Sequence, residues 1–298
     1  MGAAKTSNML PFAVMALAAT GLTLADFFIK KSAMAGVSIA ALLLFGWPLT
    51  TASLMLVAHL RGGIRHHLYP HAPKQLLVRS LLLLVMSVLN ITSLSLNPYA
   101  QHAMLFQLSP IFALLIGVLF LGERLTGHVA LVLLACLAGT WLILDPGLAG
   151  ISAALLFAAG GALSNAVTNT YVAVNREAAT PIGFTFWAVN GVALLAALYW
   201  LGFDRGVPAP GAQIWIQLSA LLAVVGITLA GLAMQLARGN IGRVSIMLYV
   251  QMPVALALGW LAFGERPPQL AVLGGAMIVV AGASIPLLRE KQREMADG

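Results

Sequence analysis

Apolar residues in this chain come in long continuous runs, near positions 11–29, 38–59, 76–96, 102–121, 128–144, 150–172, 181–202, 213–236, 244–263 and 269–288. A helix of about 20 such residues crosses a hydrocarbon core about 30 Å thick. The strands of a membrane barrel would alternate in segments of about ten residues, and nothing in the runs alternates in that way. The pattern predicts an all-α integral membrane protein with ten transmembrane helices. Composition agrees, since 60% of the 298 residues are apolar and 8% are charged, whereas a soluble domain is about a quarter charged. A soluble globular enzyme is excluded. Ten spans of about 20 residues consume about 200 of them, and the short connections leave no room for a separate folded head. The first run continues through Asp26, Phe27, Phe28 and Ile29 without a small-residue cleavage signal, so it is expected to be a retained span and not a leader.

The charge pattern sets an orientation. In a ten-span arrangement twelve of the sixteen Lys and Arg fall on one side: Lys5, Arg61, Arg65, Lys74, Arg79, Arg124, Arg176, Arg238, Arg243, Arg289, Lys291 and Arg293. Lys30, Lys31, Arg205 and Arg266 fall on the other. The positive-inside rule then predicts a multi-pass protein of a bacterial inner membrane with both termini cytoplasmic. Trp141, Trp200, Trp215 and Trp260 come near the outer ends of their helices, where amphipathic rings favour the headgroup level. The net charge of +7 is accordingly a topology signal, with the lipid bilayer as partner and no nucleic acid. The single cysteine, Cys136, supports neither a disulfide framework nor a metal cluster.

The two halves of the chain match each other. Leu119-x-x-Gly122-Glu123-Arg124 recurs as Leu261-x-x-Gly264-Glu265-Arg266, 142 residues later, in a chain with five Glu. A proline inside an apolar run precedes each motif, Pro110 and Pro253, and an Ala-Gly pair follows each, Ala138-Gly139 and Ala281-Gly282. The expected units are 1–147 and 148–298, each a five-helix repeat. An odd number of crossings forces the two copies to run in opposite directions, and inverted repeats are a mark of secondary transporters.

Ten spans, a Gly-Glu-Arg motif closing the fourth and the ninth, and the half-length repeat resemble the drug/metabolite transporter superfamily, in particular its EamA-like branch of bacterial exporters. The resemblance covers essentially the whole chain. It implies export of amino acids or similar small metabolites, and a central cavity lined by the first, third, fourth, sixth, eighth and ninth spans. One departure is Ala25-Asp26-Phe27 in the first span, where many members have an aromatic-rich, uncharged stretch.

Polar side chains inside spans are the candidates for a transport path, because exposure to hydrocarbon is costly for them. Ser80, Ser87, Asn90 and Asn97 lie within about 100° of arc on the third span, and Asn165, Thr168, Asn169 and Val172 share a face of the sixth. Asn90, Asn165 and Asn169 either face a wet cavity and bind substrate or hydrogen-bond between helices. Pro110 and Pro253 break the hydrogen bonds to the carbonyls of Phe106 and Tyr249, and backbone freed at membrane depth is tolerated where it lines a cavity. Gln107 and Tyr249 stand at these breaks as candidate substrate ligands. Trp187 and Asn190, three apart, form either an aromatic wall with an amide or a lipid-facing surface. Asp26 is either a proton-coupling carboxylate or the i, i+4 partner of Lys30, and His102 is a second candidate for coupling.

What is missing also narrows the function. No Lys or Arg stands at the centre of a run, which argues against phosphorylated substrates and leaves neutral or zwitterionic molecules. His66, His67 and His71 occupy the longest cytoplasmic loop without a Cys or acid to complete a metal site, so they are expected to be solvated. No metal and no cofactor are expected. The Gly-Glu-Arg motifs are expected to fix helix ends. The small-residue faces Ala135/Gly139 and Gly274/Gly275/Gly282 serve packing between the halves, with dimerisation as the other use; a monomer is expected. The leading reading is an alternating-access carrier, exporter or facilitator, with export of hydrophobic drugs or amines as the alternative. An intramembrane enzyme would need a nucleophile with a base, or a metal site, at one depth; all six His lie at or near span ends without a His-Glu-x-x-His arrangement.

Overall fold

The structure is a computed structural model that describes residues 9–120, 127–144, 153–175, 177–236, 244 and 246–296. The boundary expected at 147/148 and the first Gly-Glu-Arg motif, Gly122 to Arg124, lie outside the described residues. Helix α1, Leu10–Met34, opens with Pro11 in its first turn, where a missing N–H costs nothing. Helix α2, Ile39–Leu60, is capped by Ser38, whose Oγ accepts from Ala41 N at 3.1 Å. A short α3, Ile64–Leu68, leads to α4, Pro73–Leu96. The next segment is divided into α5, Tyr99–Phe106, and α6, Ser109–Phe120. Helices α7, Gly127–Leu144, and α8, Ala153–Val174, follow. Helix α9, Pro181–Tyr199, continues as a π turn over Trp200–Asp204 and is capped by Thr180. Helix α10 spans Pro210–Leu236. A 3₁₀ turn, Ile246–Val250, feeds α11, Gln251–Phe263, and α12 covers Gln269–Ala296.

No strand occurs among the described residues. Among the described residues, six segments are long and apolar enough to cross a membrane: Leu10–Met34, Ile39–Leu60, Pro73–Leu96, Tyr99–Phe120, Pro181–Asp204 and Pro210–Ala233. Shorter apolar helices occupy Ala130–Ile143, Met247–Phe263 and Gln269–Ala281. Helix α8 falls outside both groups; Asn165 and Asn169 within it lower its hydropathy. The protein is thus an all-α, multi-pass membrane protein. Two features differ from the sequence expectation: the loop after α2 contains α3, and the run at 102–121 is interrupted at Gln107–Leu108.

Large apolar side chains on the outside, among them Leu119, Leu131, Leu134, Leu137, Leu194, Leu198 and Leu261, are exposed, as a lipid-facing surface requires. Inside, the helices meet through small residues. Helix α1 lies along α10, where Gly21 faces the backbone of Gly226. Helix α7 crosses α12 so closely that a Cβ placed on Gly139 would lie 2.6 Å from the carbonyl oxygen of Gly274. Helix α4 packs on α8 and α9, α2 on α9 and α10, and α8 also on α5 and α6. Helix α11 rests on α5 and α1. These contacts bring α1, α4, α5, α8 and α11 around one interior space.

Candidate functional site

The interior space holds polar atoms without protein partners. Helix α1 contributes Thr23 and Asp26, α5 contributes Tyr99, His102, Ala103 and Phe106, and α11 contributes Gln251 to a narrow pocket with room for about one water molecule. Asn90 of α4 reaches the same point, donating through Nδ2 to Asp26 Oδ1 at 3.4 Å. That is a long hydrogen bond, and it is what the structure gives the carboxylate in place of a cation. Tyr99 donates its hydroxyl to Thr23 O at 2.5 Å. His102 is buried, with Nδ1 against Ser93 Oγ at 2.8 Å and its ring stacked on Phe106. Its Nε2 is left without a partner, as are Asn90 Oδ1, Gln107 Nε2, Thr168 Oγ1 and Tyr249 Oη. Buried polar atoms are normally paired, so His102 Nε2 and Asn90 Oδ1, the two of these that stand at the pocket, are suited to the polar end of a ligand.

Both prolines stand at helix starts. Pro110 is the second residue of α6, directly after the break at Gln107–Leu108, where Leu108 N donates to Leu105 O at 3.0 Å. Pro253 is the third residue of α11, at the junction with the 3₁₀ turn that carries Tyr249. In a first turn the ring displaces no intrahelical hydrogen bond. Near the first break Asn165 donates to Ser109 Oγ at 2.8 Å and accepts from Asn169 Nδ2 at 3.2 Å. The amides of α8 thus continue from the break along that helix, with Asn169 exposed.

Trp187 is not brought to this group. Its Nε1 donates to Leu68 O of α3 at 3.0 Å, and its own carbonyl accepts from Ser80 Oγ at 3.2 Å. Asn190 accepts from Trp47 Nε1 at 2.9 Å, so its amide and the Trp187 indole are engaged with different neighbours. Trp187→Phe is expected to cost about 1 kcal/mol, the net worth of one hydrogen bond, and to leave substrate KM unchanged. Thermal unfolding and flux on the same preparation check both halves of that expectation. His67 likewise holds α3 in place, through Thr180 Oγ1 at 3.1 Å and Arg61 O at 3.0 Å. No cluster of His, Cys, Asp or Glu suited to a metal occurs among the described residues.

The i, i+4 pairing of Asp26 with Lys30 is corrected. Lys30 is buried at the end of α1, and its Nζ lies 3.2 Å from Glu265 Oε1 and donates to Asn97 O at 2.6 Å. Glu265 in turn accepts from Tyr99 N at 2.7 Å and from Ala100 N at 3.0 Å, capping α5. Gly264, with φ +64°, closes α11 in the left-handed region that favours glycine and turns the chain so that Glu265 points back. Gly259 leaves room for the carboxylate, since a Cβ there would lie 2.8 Å from Oε2. Phe27, Tyr99 and Phe263 pack edge to face or tilted beneath this latch, with Lys30 Nζ 5.1 Å from the Phe263 ring centre. Sequence spacing pointed Lys30 to its nearest acid; the recurrence of Glu265 at matched positions was the available signal for its longer reach.

Comparison with known proteins follows the same lines. The model of the EamA-like transporter family matches residues 9–145. The pseudopaline exporter CntI of Pseudomonas aeruginosa (strain UCBPP-PA14) is 32% identical over 203 residues, 65% of this chain and 68% of that protein. A probable terminal-alkyne amino-acid exporter of Streptantibioticus cattleyicolor is 26% identical over 200 residues, 60% of this chain and 61% of that protein. One solved crystal structure superposes with a TM-score of 0.64 at 21% identity, covering 95% of this chain and 99% of the other, and shares its fold.

Proposed function

The chain belongs to the EamA-like transporter family, and from this premise we propose that it moves amino acids or similar zwitterionic metabolites out of the cytoplasm by alternating access. It is a membrane transporter and not an enzyme. The observation that carries the substrate class is the cavity beneath the latch. The Asp26 carboxylate, without a cationic partner among the described residues, stands there with His102 Nε2, and the amide oxygen of Asn90 is free beside it. Acceptors suited to an ammonium and an imidazole suited to a carboxylate are thus offered around one space, and we infer that the path continues past Gln107, Tyr249, Asn165 and Asn169. Asp26 and His102 are the groups proposed to carry a coupled proton.

The helix pairings support ten spans in two inverted repeats. If α1 corresponds to α8, α2 to α9, α4 to α10, α5 with α6 to the segment ending in α11, and α7 to α12, the principal helix pairs have twins. The packing of α1 on α10 matches that of α8 on α4, and α4 on α9 matches α10 on α2. The pairs α2 with α9 and α7 with α12 map onto themselves. Two such halves, with irregular turns just ahead of Pro110 and Pro253, rock about a midplane site and place both termini in the cytoplasm of a bacterial inner membrane.

Counterflow of a labelled amino-acid panel in proteoliposomes tests the reading. Saturable exchange is expected, and Asp26→Asn or Asn90→Ala is expected to reduce kcat/KM at least tenfold, roughly the 1.4 kcal/mol of one hydrogen bond to a charged group. Absence of flux for every amino acid would sink the substrate class. A second reading, export of hydrophobic amines, is favoured by Asp26 standing among Phe27, Tyr99 and Phe106, and an amine panel in the same vesicles separates the two.

A further inference from the structure

Arg79 is the seventh residue of α4 and is buried, with 9% of its surface exposed. The charge tally counts it on the cytoplasmic side; in the structure it is enclosed by protein. Its Nε and Nη1 have no hydrogen-bond partner, and the one ion pair among the described residues is that of Lys30 with Glu265. A guanidinium does not shed its proton, so burial without a counter-charge is costly. A structural role would have supplied the missing anion from the protein.

Its position says what supplies it. Arg79 and Asn90 are eleven residues apart on one helix, which at 100° per residue places them within about 20° of each other and about 16 Å apart along the axis. Asn90 is the residue that meets Asp26, so Arg79 lies on the face of α4 that lines the candidate site, nearer the cytoplasmic start. Facing α8 approaches this stretch at both ends: Tyr171 donates to Gln75 O at 3.4 Å, and a Cβ on Gly161 would lie 3.6 Å from Asn90 N. Arg79 and Thr168 fall between these two contacts, and Thr168 Oγ1 is itself buried and unpartnered.

We propose that Arg79, with the Thr168 hydroxyl on the helix opposite, is an anion-recognition subsite in the cytoplasmic half of the path, and that it takes the carboxylate of the transported metabolite. The assignment rests on the transport reading and narrows it to substrates bearing a carboxylate. The separation from Asp26 exceeds the span of one α-amino acid, so a small substrate meets Arg79 first and Asp26 afterwards.

The test uses the full chain and inorganic or simple organic probes. In neutral detergent, sodium acetate is expected to raise the thermal midpoint of the wild type by roughly 2–4 °C over sodium chloride at equal ionic strength. Arg79→Met is expected to lose that response and, in chloride, to unfold at a higher temperature than wild type, because an unpaired buried charge has been removed. An equal acetate response in both proteins, or none in the wild type, overturns the subsite. A rise produced by phosphatidylglycerol in nanodiscs but not by acetate assigns the anion to a lipid headgroup and overturns the carboxylate.

In proteoliposomes, Arg79→Met is expected to raise KM at least tenfold for a transported amino acid and to leave the KM of its carboxamide unchanged, with Arg79→Lys intermediate. Equal losses for acid and amide overturn substrate recognition. If acetate stabilises through Arg79 while no amino acid is transported, the subsite stands and the transport reading fails.

Discussion

Replacing Glu265 by alanine is expected to destabilise the protein by about 3–5 kcal/mol, the cost of leaving a buried charge without its partner. Glu265 neutralises Lys30 and satisfies the first two N–H groups of α5 in one step. Its loss leaves Lys30 with Asn97 O and the face of Phe263, and it leaves an uncapped helix end inside the bundle. Lys30→Met is expected to cost far less, because Glu265 keeps both backbone donors. A double-mutant cycle read by thermal unfolding isolates the pair term. Equal damage from both single changes would mean that the ion pair, and not the cap, holds this end together. Flux should fall in Glu265→Ala with substrate selectivity unchanged, since the carboxylate is bound to backbone and Lys30.

The second large effect is at the crossing of α7 with α12. In Gly274→Ala the new methyl group meets Gly139 O directly and lies 3.0 Å from Leu142 Cβ and from Ile143 Cγ1. Backbone cannot rotate aside as a flexible side chain would, so the helices must separate, at about 1–3 kcal/mol for overpacking and more for Gly274→Leu. Gly211→Ala is the control, with nothing within 4 Å of the new carbon. A wild-type thermal midpoint for Gly274→Ala alongside an unchanged control would show the crossing to be looser than described. Because Gly139 and Gly274 meet within one chain, this small-residue surface joins the middle of the sequence to its last helix, and it is occupied before any dimer forms.

Much of this was legible in the sequence because lipid imposes a simple rule: backbone must be satisfied internally, so apolar length translates into helices. The runs at 38–59 and 76–96 became Ile39–Leu60 and Pro73–Leu96. Pro110 announced a break, which lies at Gln107–Leu108. What was hidden depends on contacts between distant segments. Asp26 and Lys30 are one turn apart, yet packing sends Lys30 to an acid 235 positions away. Arg79 lies in the first turn of its apolar run and counted only as a charge on one side; that α4 begins earlier, at Pro73, and that protein encloses it depends on packing. Trp187 and Asn190 share a helix but face different neighbours, α3 and Trp47.

The latch has a consequence for the response to salt. Lys30 has no counterpart in the second half, since the offset that relates Pro110 to Pro253 leads from Lys30 to Ala173. The Gly-Glu-Arg motif recurs, but the cation that neutralises Glu265 does not. When the latch parts, two charges are returned to water and become subject to screening by salt. Ionic strength thus acts on this end of the bundle through a contact that the recurring motif alone does not supply.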